Sequence, residues 1–445
     1  MATVDLMRYK RIVQYFWDPE PKNDENPQVP IWCLGEEFQP IAKPAPKSTD
    51  VRTLAVPRGE TVQESDWVVT ETDSHLSGED RSVGVQNEQR KESGTLNDGG
   101  WPPDFVKDFE AKFWFTYRSN FPPIPKSSDL TAPSTISLSI RLRNQFVDQG
   151  AFTADTGWGC MIRSGQCLLA NALGILRLGR GWKRGVDAEK EQRLLALFAD
   201  DSRASFSIHN FVEHGAYACG KHPGEWFGPS ATASCIKALS ERHAKDELQV
   251  YATKDGADVY EDSVLSLARE RNGTFQPVLI LVGIRLGIDR VTPVYHEALK
   301  ASLKLPQSLG IAGGRPSSSH YFVGVQEDSF FYLDPHQTRP ALPYYEDCSS
   351  YTIDEIDSCH TKRLRRLHIK DMDPSMLIAY LIRDEEDWQK WKQAISLTAG
   401  KAVVHVADTD PNRYKGSQER QDAVDEVEIL DDDEEEGEMV DRPES

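Results

Sequence analysis

The 445-residue sequence lacks several features that would assign it to a protein class at once. It has no run of about 18 apolar residues, which excludes an ordinary membrane-spanning helix. Its first residues, MATVDLMRYKRIVQYF, contain no apolar signal-peptide core, so we expect that the protein is not secreted. Basic residues are in deficit, with 51 Lys and Arg against 71 Asp and Glu, which disfavours a nucleic-acid-binding protein.

Cysteine pairs and cofactor motifs are also missing. The seven cysteines are odd in number and include no C-x-x-C pair, which disfavours both a disulfide framework and a structural zinc site. We therefore expect a reduced, cytoplasmic protein. There is no H-E-x-x-H sequence, and the glycine-rich stretch at 310–316 is not a phosphate-binding loop. The sequence accordingly predicts no metal site and no cofactor.

Composition changes along the chain and predicts four segments. Residues 421–445 hold 13 acidic residues and one arginine, and such a tail cannot bury a core. Residues 42–100 are polar and lack periodicity, as in a linker or insert. We expect an N-terminal segment (1–41) that docks on the core, a disordered linker (42–100), a globular domain (101–407) and a disordered acidic tail (408–445).

The globular part mixes helical and strand patterns without a strict βαβ order, which predicts an α+β fold. The predicted helices are Cys160 to Leu178, Ser230 to Ala244, one from Thr292-Pro293 to Lys304, and one beginning at Asp373-Pro374. The predicted strands are Val278 to Ile284, and His320 to Val325 paired in a hairpin with Phe330 to Leu333.

One segment, DTGWGCMIRSGQ, places Cys160 where a loop with two glycines enters an apolar helix. The glycines allow a sharp turn, and the helix N-terminus favours negative charge. Both would lower the pKa of the thiol and make it a candidate nucleophile. The alternative is that Cys160 is a small apolar residue at the start of a core helix.

A second segment, YLDPHQT, supplies a base for that nucleophile. On an extended backbone Asp334 and His336 would lie on the same face, so the carboxylate would orient the imidazole. The alternative is an ordinary turn that closes a hairpin. His320 is a second candidate base, ranked lower because no carboxylate lies two residues away.

Five ordered blocks resemble the autophagy cysteine endopeptidases, the autophagy-related protein four family, also called autophagins. The blocks are WFTYR with NFP (114–122), TGWGCMIRSGQ (156–166), GEWFGPS (224–230), PQSLG with GG and HYFVG (306–324), and YLDPHQT (332–338). The resemblance covers about residues 101–400. It implies a papain-like fold with a small added subdomain, flanked by disordered segments.

The resemblance also implies a reaction and its residues. Members of the family cleave the C-terminus of the autophagy ubiquitin-like modifier after a glycine and release it from phosphatidylethanolamine. Cys160 matches the nucleophile, His336 the base and Asp334 the residue that orients it. Tyr117 matches a tyrosine near the oxyanion site, and Trp226 and Pro306 match the pair that covers the substrate groove. Because glycine has no side chain, bulky residues such as these two could narrow the groove.

Three further features are compatible with this family and also with simpler explanations. Val427 to Leu430 lie among acids as a modifier-docking motif would, although its usual aromatic residue is replaced by Val427. The basic cluster Lys362 to Arg366 would contact anionic lipid or the modifier, or be a solvated face. Cys348 and Cys359 would form a regulatory disulfide, since family members can be redox-regulated, or stay reduced.

The leading hypothesis is therefore a monomeric thiol protease that reaches autophagic membranes through its substrate. We expect it in the cytoplasm, with the nucleus and the pre-autophagosomal site as further locations. Two alternatives stay open at this point: a general deubiquitinase-like thiol hydrolase, and a catalytically idle scaffold that binds the modifier. The joint presence of a cysteine, an aspartate and a histidine argues against the scaffold.

Overall fold

The computed structural model describes residues 20–411, apart from residue 25 and residues 42–98, 128–149, 254–255, 270–272 and 315–317. Most of the predicted linker and tail, with Val427 and Leu430, lies outside the described residues, and the four segment boundaries stay predictions. Within the described part of the chain, no helix is both long and apolar enough to cross a membrane.

The described residues form nine α-helices, short 3₁₀ turns and fourteen strands. The helices are α1 (Pro103–Glu110), α2 (Cys160–Leu178), α3 (Ala188–Ala196), α4 (Ile208–Ala218), α5 (Pro229–His243), α6 (Glu261–Ala268), α7 (His296–Lys304), α8 (Ile353–Asp357) and α9 (Glu385–Ser396). The strands are β1 (Ile31–Cys33), β2 (Glu36–Phe38), β3 (Arg118–Pro125), β4 (Ala151–Ala154), β5 (Gln249–Ala252), β6 (Asp258–Tyr260), β7 (Val278–Arg285), β8 (Ser308–Gly313), β9 (His320–Gln326), β10 (Ser329–Leu333), β11 (Arg339–Pro340), β12 (Arg366–His368), β13 (Ser375–Ile382) and β14 (His405–Ala407).

A nine-stranded sheet forms the centre of the fold, in the order β12-β10-β9-β8-β13-β7-β5, with β1 and β2 added beside β9. Strand β5 pairs with β7 in parallel, and the other described pairs of this sheet are antiparallel. Two smaller sheets contain β11-β3-β4 and β14-β6. The mixture of helices and largely antiparallel strands confirms the predicted α+β class.

Both faces of the central sheet are buried, and side chains alternate between two apolar clusters. In β7, Leu279 and Leu281 enter the cluster that contains α2 and α5, whereas Ile280 enters the cluster that contains α7 and α9. Full burial of each such side chain is worth about 1.5–3 kcal/mol. This two-sided covering explains why the strand has a continuous apolar sequence rather than an alternating one.

The predicted helix at Asp373-Pro374 is wrong, because residues Ser375–Ile382 form the central strand β13. The Asp373 carboxylate accepts a hydrogen bond from the backbone N–H of Ser375 at 3.0 Å, which makes a local turn rather than a helix cap. The following residues, SMLIAYLI, pair with β7 on one side and β8 on the other. Burial on both faces outweighs the local helix signal.

The other element predictions are confirmed, with shifts of one or two residues at most of the ends. Helix α2 covers the predicted range, α5 begins and ends one residue early, and β9 and β10 form the predicted hairpin. The helix expected after Thr292 begins with a 3₁₀ turn at Pro293–Tyr295 and continues as α7 to Lys304.

The N-terminal residues 31–38 form a hairpin that lies on the core. Strand β1 pairs with the second half of β9, while β8 pairs with the first half. The Arg180 guanidinium donates hydrogen bonds to the carbonyls of Cys33 and Leu34. At the turn, Gly35 has φ +78°, and a Cβ there would lie 2.3 Å from the carbonyl oxygen of Leu305. Only glycine fits this turn.

Candidate active site

Cys160 is fully buried at the first turn of α2, where the two preceding glycines shape the backbone. Gly157 has φ +91°, in the left-handed region that favours glycine. A Cβ on Gly159 would lie 2.4 Å from Oδ2 of Asp155, so a larger residue there would displace that carboxylate. The sequence therefore folds into a tight loop that presents the thiol at the positive end of a 19-residue helix.

His336 and Asp334 lie immediately after β10 and are in direct contact. Nδ1 of His336 is 2.6 Å from Oδ1 of Asp334, and the backbone N–H of His336 donates to the same oxygen at 3.0 Å. The backbone here turns instead of remaining extended. The predicted contact is thus present, although a turn, not strand periodicity, produces it.

The Cys160 thiol and the His336 imidazole shift each other's pKa, and the electrostatics favour an ion pair. Burial would raise the pKa of the thiol, but the interaction with the His336 imidazolium lowers it below its ordinary value. Burial opposes the imidazolium as well, yet the hydrogen bond to Asp334 and the interaction with the Cys160 thiolate raise the pKa of His336 to about 10. Because Nδ1 is bound to Asp334, Nε2 is the ring nitrogen that is available to the thiol.

The ion pair predicts a bell-shaped pH dependence for alkylation of Cys160 by chloroacetate, an anion that is attracted to the imidazolium. The rate should rise with thiolate formation, below the pH at which an ordinary cysteine ionises, and fall as His336 loses its proton near pH 10. Mass spectrometry of the Cys160 peptide would measure this rate. A rate that rises only around pH 8.5, as for a free thiol, would contradict the ion pair.

Tyr117 lies beside the pair formed by Cys160 and His336. Its ring is edge-on to the His336 ring with centroids 5.4 Å apart, and its backbone N–H donates to the carbonyl of Pro335 at 2.8 Å. Its buried hydroxyl has no hydrogen-bond partner among the described residues, and it is close enough to Cys160 for the two groups to influence each other's pKa. Burial raises the pKa of Tyr117 well above its usual value, so the hydroxyl keeps its proton and can donate it as a hydrogen bond near the thiol.

Trp226 lies on the segment between α4 and α5, half-buried against the cluster that contains α2. Two residues earlier, Gly224 has φ +90°, and a Cβ there would lie 2.4 Å from the Phe152 ring. Phe152 in turn contacts Trp158 of the catalytic loop, with ring centroids 5.7 Å apart. The structure thus connects the Trp226 segment to the loop that presents Cys160.

Pro306 is not brought to Cys160, and its assignment to the groove stays a prediction. Ser319 is a residue that contacts the start of α2: its hydroxyl lies 3.1 Å from that of Ser164, and its backbone is one of the groups that lower the pKa of Cys160. Ser319 follows the far end of β8, whereas Pro306 is exposed before its first residue. Six extended residues span about 20 Å, so Pro306 lies at the opposite end of the strand.

His320, the second candidate base, also lies at the site. Its Nε2 is 3.9 Å from Oδ1 of Asp334, and its ring centroid is 5.1 Å from that of His336. Burial lowers the pKa of His320 to about 4; the Asp334 carboxylate opposes this shift, and the positive charges of His336 and Arg365 add to it. It is therefore neutral near pH 7, and only His336 is charged. Asp334 and these two histidines could in geometry approach a cation, but the hydrogen bond between Asp334 and His336 occupies their facing atoms.

The sequence analysis did not predict a buried charge network that includes Arg163 of α2. Arg163 lies between two carboxylates, with Nε 2.7 Å from Asp155 and Nη1 2.7 Å from Asp200. Asp155 also accepts the backbone N–H of Arg118 at 2.6 Å, and Asp200 accepts that of Leu342 at 2.7 Å. The network ties the catalytic loop to the segment after β11. An arginine inside the apolar sequence of α2 was the signal that could have revealed it.

The side chain of Trp114 holds the main chain of Asp334. The indole N–H of Trp114 donates to the backbone carbonyl of Asp334 at 2.8 Å, and the Arg339 guanidinium lies over the Trp114 ring at 4.8 Å. Trp114 belongs to the WFTYR block, so that block contributes both this bond and Tyr117. Cys348 and Cys359, the candidates for a regulatory disulfide, are both free thiols in this structure.

Comparison with known proteins places these features in a family. Residues 102–394 match the model of the Peptidase C54 catalytic domain. The chain is 61% identical to a probable cysteine protease atg4 of Botryotinia fuckeliana, over 97% of this chain and 98% of that protein. It is 59% identical to a probable cysteine protease atg4 of Sclerotinia sclerotiorum, with the same coverage. It is 52% identical to the cysteine protease atg4 of Emericella nidulans, over 97% of this chain and 99% of that protein.

These matches confirm the resemblance found in the sequence and, with it, the papain-like fold and the thiol-protease class. They span nearly the whole chain, and the family match contains Cys160, Asp334 and His336. The chain belongs to the Peptidase C54 family, the Atg4 cysteine proteases that act in autophagy.

Proposed function

We propose that this cysteine protease cleaves the precursor of the autophagy ubiquitin-like modifier after its C-terminal glycine and releases the modifier from phosphatidylethanolamine. The observation that carries this proposal is the thiol–imidazole–carboxylate arrangement of Cys160, His336 and Asp334 at the start of α2. Trp226 supports a restricted groove, because its bulky indole lies on the segment that Gly224 and Phe152 connect to the loop of Cys160.

The proposed reaction follows from the ion pair. The Cys160 thiolate attacks the carbonyl carbon of the substrate glycine, and Tyr117 with the helix N-terminus stabilises the resulting oxyanion. The His336 imidazolium gives its proton to the leaving nitrogen as the C–N bond breaks, which leaves a thioester on Cys160. Neutral His336 then takes a proton from water as the water oxygen attacks the thioester carbon. The C–S bond breaks, the Cys160 thiolate leaves beside the imidazolium, and the released glycine carboxylic acid loses its proton to solvent.

The same chemistry serves both proposed substrates. The precursor contains a peptide bond after glycine, and the lipid conjugate contains an amide between glycine and the ethanolamine nitrogen. Both scissile bonds join a glycine carbonyl to nitrogen, so one site is sufficient. We further propose that the enzyme is a monomer that acts in the cytoplasm, the nucleus and at the pre-autophagosomal site, and that it contacts membranes through the conjugate.

The product mass tests this function. Purified, freshly reduced enzyme is incubated with a modifier precursor that has residues beyond its C-terminal glycine, and a ubiquitin precursor is the comparison substrate. We expect a modifier product that ends at glycine and no cleavage of ubiquitin. Equal cleavage of both would favour a general deubiquitinase-like hydrolase. Binding without cleavage would favour the idle scaffold.

Removal of residues 421–445 should leave cleavage of the soluble precursor unchanged and at most slow release from lipid. The reason is that the described catalytic residues all lie before residue 412, whereas the tail contributes 13 acidic residues and the candidate docking residues Val427 and Leu430. Initial rates on the precursor and on conjugate-bearing vesicles would measure both effects. A truncated enzyme with no peptidase activity would contradict the segment assignment.

A further inference from the structure

A cation from the basic cluster Lys362 to Arg366 lies against the Asp334 carboxylate. Nη1 of Arg365 is 3.4 Å from Oδ2 of Asp334, and the side chains are only 18% and 12% exposed. The carbonyl of Arg365 accepts the backbone N–H of Tyr332 at 3.1 Å, two residues before Asp334. The main chain that carries the guanidinium is therefore fixed beside the strand that leads to the carboxylate.

The two oxygens of Asp334 have different partners. Oδ1 accepts both hydrogen bonds from His336, and Oδ2 faces Arg365. His320 approaches the same Oδ1 at 3.9 Å, so two imidazoles lie within reach of one oxygen. The Trp114 indole fixes the backbone of Asp334 but not the rotation of its carboxylate. The contact with Arg365 gives Oδ2 a partner that opposes rotation of the carboxylate away from His336.

We propose that Arg365 is a positioning residue for catalysis: it binds Oδ2 of Asp334 and thereby keeps Oδ1 on His336 and not on His320. This inference rests on the proposed catalytic roles of Cys160, His336 and Asp334. Arginine suits the task because its planar guanidinium is always charged and binds carboxylates in defined directions.

Loss of Arg365 has two opposite electrostatic consequences for His336. Removal of a positive charge would by itself raise the pKa of His336, whereas a poorly oriented Asp334 would lower it. The contact of Asp334 Oδ1 with His336 Nδ1 at 2.6 Å has the stronger influence on the pKa of His336, since it is a charge-assisted hydrogen bond between buried groups. The ionisable groups facing the pair are His320 from β9, Arg365 from the segment before β12, Cys160 from α2, and Tyr117. The net result should be a lower pKa for His336.

The test is the pH profile of Cys160 alkylation by chloroacetate in the full-length protein, read by peptide mass and without any protein substrate. Arg365→Met should move the basic limb to lower pH by about one unit, which is a tenfold change in the imidazolium population above that limb. Arg365→Lys keeps a positive charge near Oδ2, so its basic limb should lie close to that of the wild type. An unchanged basic limb, or one moved to higher pH, would overturn the proposal.

Arg366→Met is the matched control. This neighbouring arginine lies over the Trp101 ring at 5.9 Å and is 3.9 Å from Asp24. Its replacement should leave the profile as in the wild type, and a shift equal to that of Arg365→Met would show a nonspecific effect and reject the inference. If Arg365→Met does not fold, as judged by thermal unfolding, Arg365→Gln takes its place with the same expectation.

Asp334→Asn separates this inference from the proposed function. If Asp334→Asn moves the basic limb and Arg365→Met does not, Arg365 has no positioning role and the catalytic assignment survives. If Asp334→Asn leaves the limb in place, the proposed catalytic pair fails and the inference fails with it. A shift in both variants, larger for Asp334→Asn, is the expected result.

Discussion

Cys160→Ala should abolish precursor cleavage, with a loss of at least about four orders of magnitude, while the modifier still binds. The expected loss is this large because the thiolate forms the covalent intermediate, and neither His336 nor Tyr117 can replace it as nucleophile. Binding should persist because the thiol is small and fully buried, and contributes little contact area. Product mass spectrometry and a titration of variant with precursor would measure the two effects.

Cys348→Ala is the control for this experiment. Cys348 is a half-buried free thiol in a short 3₁₀ turn at Cys348–Ser350, and its removal should leave the cleavage rate within about threefold of the wild type. Turnover that survives in Cys160→Ala would reject the assignment of the nucleophile. Equal loss in both variants would point to a general dependence on thiols.

Arg163→Met should lower the free energy of unfolding by about 3–5 kcal/mol at neutral pH. The variant would leave Asp155 and Asp200 buried without their shared cation, and it would loosen the loop that carries Cys160. Burial already raises the pKa of Asp155, and loss of the Arg163 cation should raise it further above its unfolded value. The penalty is then full above the folded pKa and shrinks as the pH falls, because protonated carboxyls carry no charge. Urea denaturation at several pH values would show this trend.

Arg177→Met is the matched control on the same helix. Arg177 pairs with Glu247 at 2.7 Å, but both side chains are about one-third exposed. A surface pair of this kind is worth about 0–1 kcal/mol, so its loss should change stability little at any pH. If Arg163→Met were no more destabilised than Arg177→Met, the buried network would not have the structural role assigned to it.

The sequence was sufficient for the parts of the site that depend on local chemistry. The two glycines before Cys160, the apolar helix after it and the short spacing between Asp334 and His336 are neighbouring residues, and each follows a local rule. The central hairpin was predictable for the same reason. The contact between Asp334 and His336 was correct even though its predicted backbone was not, because a turn and a strand can both bring residues two apart together.

The parts that the sequence did not predict depend on residues distant in sequence. Burial of Ser375–Ile382 on both faces depends on β7, β8 and the helices around them. The local cap signal at Asp373 therefore led to the incorrect prediction of a helix. The position of Pro306 depends on the direction of β8, which its own sequence does not contain. Arg163 and Arg365 each find their carboxylates only in the folded chain, 8 and 31 residues away for Asp155 and Asp334.

The hairpin of residues 31–38 limits where a shortened fragment of this enzyme can begin. The family match begins at residue 102, yet β1 lies far before it and completes the hydrogen bonding of β9. A fragment that starts at the family boundary would expose half of β9 as a free sheet edge and would leave Arg180 without its two carbonyl partners. Free edges of this kind recruit other strands, so such a fragment would tend to self-associate. We therefore expect the smallest unit that folds cleanly to extend beyond the family match at residues 102–394.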